Sequence, residues 1–222
     1  MQGAAKMKRN SILNELGKKE TEAEDIVGKV IKNQNLLQEL FDGISSASPR
    51  VRFGSMKALR ILSEKDPEML YSRMDFFVRL LDSENNILKW NAMDVIANLV
   101  LVDSKNEFDK ISEKFFDLLS EESLITAGHV VDNSGKIAKA KPHLTRRITS
   151  ELLKIEKFHV KLGFTQECKN ILLGKAISAF DVFFDRVEDK DKVVAFVKRQ
   201  LNNTRKATRV KAESFLRKRR QL

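Results

Sequence analysis

The sequence predicts an all-α protein built as a stack of about five helix pairs, and three observations predict it. Apolar residues recur at helical spacing almost throughout, as in Met56, Leu59 and Leu62 or Met93, Ile96, Leu99 and Val100, whereas the two-residue alternation of half-buried strands is absent. Turn-forming clusters fall at short, regular intervals: SASP (46–49), KDPE (65–68), DSENN (82–86), VDSKN (102–106), SEES (120–123), KAKPH (139–143), EDKD (188–191) and NNTR (202–205). Each ends one helix and starts the next. The segments between them repeat: FGSMKALRIL, WNAMDVIANL, AGHVVDNSGKI, LGKAISAF and RVKAESFL superpose with Gly54, Asn91, Gly128, Gly174 and Val210 in register, at spacings of 37, 37, 46 and 36 residues. A period of this length marks a repeat architecture.

Taken in order, residues 1–20 are polar and lysine-rich and are expected to be a flexible segment ahead of one repeat domain spanning 21–222. EAEDIVGKVIKN forms a capping helix, and NLLQELFDGISS precedes the first register point. Each register segment is the first, or A, helix of a pair. Its B helix follows: MLYSRMDFFVRLLD, EFDKISEKFFDLLS, LTRRITSELLKIEKF and DKVVAFVKRQLNN. The 46-residue step holds about nine extra residues around HVKLGFTQE (159–167), expected to be a longer loop on one edge. One pair buries its apolar stripe on one side only and needs neighbours to cover the other, which gives a right-handed stack with end caps.

Individual residues extend this into a family resemblance. In SPRVRFGSMKAL, Pro49 opens a helix, Val51-Arg52 form a pair, and Ala58-Leu59 place a small residue before a large one; RLLDSENNILKWNAMDVIANL repeats the pattern with Leu80, Leu81, Asp82, Leu88, Lys89 and Ala92. The chain from about residue 34 to 222 resembles the HEAT-like (armadillo-type) helical repeat family. The resemblance implies an all-α right-handed superhelix, a HEAT-like solenoid, whose B helices line a concave surface that holds a protein segment.

Composition bounds the function. The longest apolar run, Val95 to Val102, is broken by Asn98 and is far short of the roughly 20 residues that cross a bilayer, so no membrane association is expected. The N-terminal stretch has no apolar core of secretory length, and the one cysteine, Cys168, offers neither a disulfide nor a thiolate cluster. A cytoplasmic protein is expected. The net charge of +10 is uneven: residues 1–130 carry 18 basic groups against 21 acidic, and residues 131–222 carry 23 against 10. The positive field belongs to the C-terminal part.

TAGHVVDNSGKIAKAKP (126–142) gathers a His, an Asp, an Asn and a Ser, the side chains of a hydrolase or a metal site. On a helix, Ala127, Val130, Val131, Ser134, Ile137 and Ala138 form a core stripe, and His129, Asp132, Asn133 and Lys136 form a polar outer face. Ser134 is then on the wrong side for a triad, and His143 and His159 belong to other elements, so no metal site and no catalytic residue is assigned. No cofactor and no small-molecule substrate are expected. Trp90 and the phenylalanine pairs are read as packing residues.

The basic residues of the B helices are more informative. Arg147 and Lys154 lie seven apart, as do Lys192 and Arg199, and Arg205 and Arg209 continue the series in the tail. Aligned across repeats they form a stripe that contacts a partner or neutralises phosphates without sequence preference. The leading expectation is a non-enzymatic scaffold that binds a protein segment. Nucleic acid binding through the basic C-terminal part is the alternative, and an enzyme resembling HEAT-like alkylpurine DNA glycosylases comes third, since the aromatic, carboxylate and arginine set of that chemistry has no assembled equivalent in this sequence.

Overall fold

The computed structural model describes residues 11–121, 123–158 and 165–219. Among these residues there are thirteen α-helices and no strand. The chain divides into two compact units, residues 1–102 and 103–222, where the sequence suggested one domain from 21 onward.

In the first unit, α1 (Ile12–Leu16), α2 (Ala23–Lys32), α3 (Leu37–Gly43), α4 (Pro49–Lys65), α5 (Glu68–Tyr71), α6 (Met74–Leu80) and α7 (Asn86–Leu99) follow in order. Residues 1–10 of the expected flexible segment lie outside the described residues, but 11–16 correct that expectation. The Ser11 hydroxyl caps α1 by accepting from the Leu13 N–H, and Ile12 and Leu16 are buried four residues apart. Two apolar groups on one face are enough to dock a five-residue helix that would not stand alone in water.

α4 is the hub: Pro49 occupies its first turn, Val51, Met56, Ala58, Leu59, Ile61 and Leu62 are buried, and it packs against α1, α2, α3 and α7. Gly43 permits the α3–α4 crossing, because a Cβ there would stand 2.1 Å from Ser55 Oγ. The expected B helix over 69–82 is broken: α5 closes at Ser72, and Arg73 has left helical geometry (φ −113°, ψ 19°) before α6 resumes. Phe41, Phe76 and Phe77 cluster at centroid distances of 5.0 to 5.9 Å, with Phe76 edge-on to both of the others and Phe41 tilted against Phe77.

In the second unit, α8 (Glu107–Asp117), α9 (Leu124–Ala140), α10 (Thr145–Lys154), α11 (Gln166–Phe183), α12 (Lys190–Arg199) and α13 (Lys206–Lys218) follow. The A helices α9, α11 and α13 stack side by side, and α10 packs beside α12. Gly174 permits a close α11–α13 approach, where a Cβ would lie 2.7 Å from Thr208 Oγ1. Of the loop expected at 159–167, residues 159–164 lie outside the described residues. Thr165 caps α11 by accepting from the Cys168 N–H, so Gln166 and Glu167 are helical rather than loop. Phe108, Phe115 and Phe116, and separately Phe180, Phe183 and Phe196, are buried aromatic clusters. Each such ring contributes about 1.5–3 kcal/mol by burial.

The polar ties repeat with the sequence period. In the first unit Ser63–Asn98 and Gln38–Arg73 are each 35 residues apart. In the second, Ser112–Arg147 are 35 apart and Asp103–Lys141 are 38 apart. Ties whose intervening chain includes 159–164, such as Asp132–Lys175, Glu156–Arg199 and Lys139–Arg186, lengthen to 43, 43 and 47. Beyond it, Asn170–Thr204 and Asn170–Thr208 return to 34 and 38. Each repeat bonds to its equivalent one period away.

Candidate interaction surface

The B-helix face of the second unit carries most of the basic residues singled out above. On α10 the core side is Ile148 and Leu152, continued by Ile155. At about 100° per residue, Arg147 and Lys154 fall roughly 100–120° to one flank of that core, and Arg146, Thr149, Ser150 and Leu153 fall to the other. The first flank faces α8: Arg147 donates to Ser112 Oγ at 3.1 Å and its guanidinium stands 6.0 Å from the Phe116 ring centre. On α12 the same offset turns Lys192 and Arg199 back toward the preceding elements.

Each basic group of the expected stripe is thereby engaged. Lys154 pairs with Glu151 at 2.7 Å and Lys192 with Asp189 at 2.6 Å. Arg199 grips Glu156 through two bonds of 2.9 and 2.6 Å, and Gln200 adds a third at 3.0 Å. Hydrogen bonding to Glu156, only partly offset by desolvation, raises the affinity of Arg199 for its proton. The Lys192 hydrogen bond holds the Asp189 carboxyl below its ordinary range. Arg205 pairs with Glu167, and Arg209 donates to the carbonyls of Asn203 and Thr204 at 2.7 and 3.0 Å. Seven-residue spacing places Arg147, Lys154, Lys192 and Arg199 on a flank rather than opposite the core: Ser112 and Glu156 of neighbouring segments hold Arg147 and Arg199, while Glu151 and Asp189 of their own segments hold Lys154 and Lys192.

The other flank of α10 opens onto α12 as a groove of about 300 Å³ lined by Arg146, Thr149, Ser150, Leu153, Glu188, Asp189 and Lys192. Its edges carry both charges: the Arg146 Nε is 4.0 Å from Glu188 and largely exposed, and Lys192 holds Asp189. Its wall holds an unspent group, because Thr149 is 8% exposed and its hydroxyl has no hydrogen-bond partner among the described residues. Such a hydroxyl costs free energy until a partner reaches it. Of this groove, the sequence reading found Lys192 alone. Arg146, Thr149, Ser150 and Leu153 lie away from Arg147 on the helical wheel of LTRRITSELLK, whereas Glu188 and Asp189 come from the EDKD turn and join them only in the fold.

On α9, His129 and Lys136 are half-buried and Asp132 is exposed, with Asp132 bonded to Lys175 of α11. Asn133 corrects the expectation. It is 6% exposed, since it lies three residues after Val130 and four before Ile137 on the core side, and its amide donates to the His129 carbonyl at 3.0 Å. Ser134 is fully buried and donates to the Val130 carbonyl at 2.7 Å. Among the described residues no group of three His, Cys, Asp or Glu side chains is placed to hold a metal, and no helix is long and apolar enough to cross a membrane.

No family model and no curated protein matches the chain. Solved structures do, among them these two. A crystal structure of an engineered protein superposes with a TM-score of 0.55 at 18% identity, over 93% of this chain and 87% of that one. A designed armadillo repeat protein gives a TM-score of 0.54 at 15% identity, over 93% and 90%. At these identities the likeness speaks for the fold, and the fold is an all-α helical repeat of the HEAT and armadillo type.

Proposed function

We propose that the chain is a non-enzymatic scaffold that binds an extended protein segment in the α10–α12 groove. The observation that carries this reading is the groove itself, which combines an unspent buried hydroxyl at Thr149, an apolar wall at Leu153 and edges bearing both charges. A peptide backbone supplies the missing hydrogen bond to Thr149 and a further one to the exposed Ser150 hydroxyl, and its charged side chains exchange with the weak Arg146–Glu188 pair, which at 4.0 Å holds little energy of its own. A soluble cytoplasmic setting fits the single cysteine.

The test is selection of binders from a peptide library with the full chain, followed by titration of the best peptide into Arg146→Glu and Lys192→Glu. Loss of two edge charges should weaken binding about tenfold. Unchanged affinity in both variants removes the groove from the reading.

The 23 basic groups against 10 acidic ones over residues 131–222 favour nucleic acid as the second reading. Internal pairing of Lys154, Lys192, Arg199 and Arg205 leaves less of that charge to displace counterions. Titration with duplex and single strands at two salt concentrations separates the two, since phosphate binding falls steeply with salt. Charge reversal at Arg147, Lys154, Lys192 and Arg199 then reports whether those residues carry it.

A further inference from the structure

A second pocket, separate from the groove, opens where the end of the α10 segment, the first turns of α11 and the α12–α13 turn meet. It measures about 280 Å³ and is lined by Glu156, Gln166, Lys169, Asn170, Leu173, Gln200, Asn202, Asn203 and Thr204. Nearly every lining side chain is polar. Three of them, Asn170, Gln200 and Asn203, are 2%, 6% and 9% exposed, so the back wall is built into the fold.

The hydrogen bonds of the wall leave its acceptors and donors unequally occupied. The Glu156 carboxylate already accepts from Arg199 twice and Gln200 once. Asn170 Oδ1 accepts from Gln166 at 3.0 Å and Asn203 at 3.1 Å, and Gln200 Oε1 accepts from Asn203 at 3.0 Å. Asn203 Oδ1 takes the Arg205 N–H at 2.9 Å. The buried acceptors are committed. The donors are not: the Lys169 ammonium has three N–H groups and spends one on the Glu156 carbonyl. Thr204 Oγ1 accepts from Asn170 at 2.8 Å, which leaves its own O–H to give. The Asn202 amide stands exposed at the rim.

A pocket whose buried acceptors are committed and whose spare donors include a cation selects a guest that brings acceptors and negative charge. We propose that it binds a carboxylate, with Lys169 as the ion-pair partner, Thr204 and Asn202 as hydrogen-bond donors, and Leu173 against the first carbons behind the carboxylate. The start of α11 adds a favourable dipole. The volume sits near the lower end of ligand pockets, which fits a small carboxylic acid or the last residue of a peptide. Both present the same group.

Calorimetric titration of the full chain in carboxylate-free buffer distinguishes these sources, with succinate as one probe and a peptide of one sequence, made with a free or an amidated C-terminus, as the other. Saturable binding of the free-acid peptide that the amide lacks assigns the site to chain termini. Succinate binding as tight as the peptide's assigns it to free acids. In either case Lys169→Met should weaken binding tenfold or more, since a hydrogen bond to a charged group is lost, and Thr204→Val should weaken it several-fold. Arg146 and Lys192 line only the α10–α12 groove, and Lys169 and Thr204 line only this pocket, so the two sites are tested by separate variants and stand or fall separately. Absence of saturable binding by both succinate and the free-acid peptide overturns the proposal, as does wild-type affinity in a folded Lys169→Met. If that variant does not fold, wild-type affinity in Thr204→Val overturns it equally.

Discussion

The two units solve one problem with different chemistry. Each ties a residue near the end of an A helix to a residue about one repeat away, inside the protein. In the first unit the tie is neutral: Asn98 donates to Ser63 Oγ at 2.8 Å, with the two residues 3% and 1% exposed. In the second it is charged: Lys141 is 5% exposed, 3.0 Å from the Asp103 carboxylate and 3.0 Å from the Asp103 carbonyl, with Asn106 completing its bonds. Asp103 also accepts from the N–H groups of Glu107 and Phe108 at 2.8 and 3.0 Å, so the same carboxylate starts α8. Part of the basic excess in residues 131–222 is therefore structural, spent on holding repeats together rather than displayed to a partner.

The largest expected effect comes from breaking the charged tie. Lys141→Met leaves the Asp103 carboxylate buried without its counter-ion and should cost about 3–5 kcal/mol, read as a lower midpoint in denaturant melts. If the variant is as stable as the parent, the comparison fails. The neutral tie is expected to yield less. Ser63→Ala removes the acceptor of Asn98 and a donor to the Arg60 carbonyl, at about 1–3 kcal/mol. A cost equal to that of Lys141→Met would mean that charge is not what distinguishes the two ties.

Apolar periodicity and the register of Gly54, Gly128 and Gly174 gave the repeat, because core stripes and close helix approaches are written in residue type. The ties at 35 to 47 residues then follow the same spacing. Side-chain pairing was less legible. Arg147 and Arg199 looked outward because no core residue shares their position, yet at roughly 100–120° from the core a side chain lies on a flank, within reach of the next helix. The amide pocket was invisible for a related reason: Asn170, Gln200 and Asn203 sit in segments that read as a helix start and a turn, and only the fold brings them together. α1 was missed because five residues carry too little periodicity to register.

The smallest effect is expected at the C-terminal end of the second unit, where a charged tie sits nearer the surface. Asp181 of α11 accepts from Lys218 and from Arg219 of the α13 end, the latter at 2.8 Å, and the Arg219 guanidinium lies 3.6 Å from the Phe215 ring centre. Burial pushes the Asp181 carboxyl upward, but the hydrogen bonds and charges of Lys218 and Arg219 outweigh it and hold the carboxyl below its ordinary value. A carboxyl depressed in the folded state stabilises above its unfolded value, and that contribution disappears as pH falls through the folded one. Asp181→Asn should therefore cost up to about 1 kcal/mol at neutral pH and progressively less in acid, until the melting midpoints of variant and parent meet. Ser63→Ala, which removes no titrating group, should cost the same at both ends of that range. Parallel pH profiles for the two variants would show that the Asp181 tie works by shape alone, and converging profiles for Asp181→Asn only would show that its charge carries it.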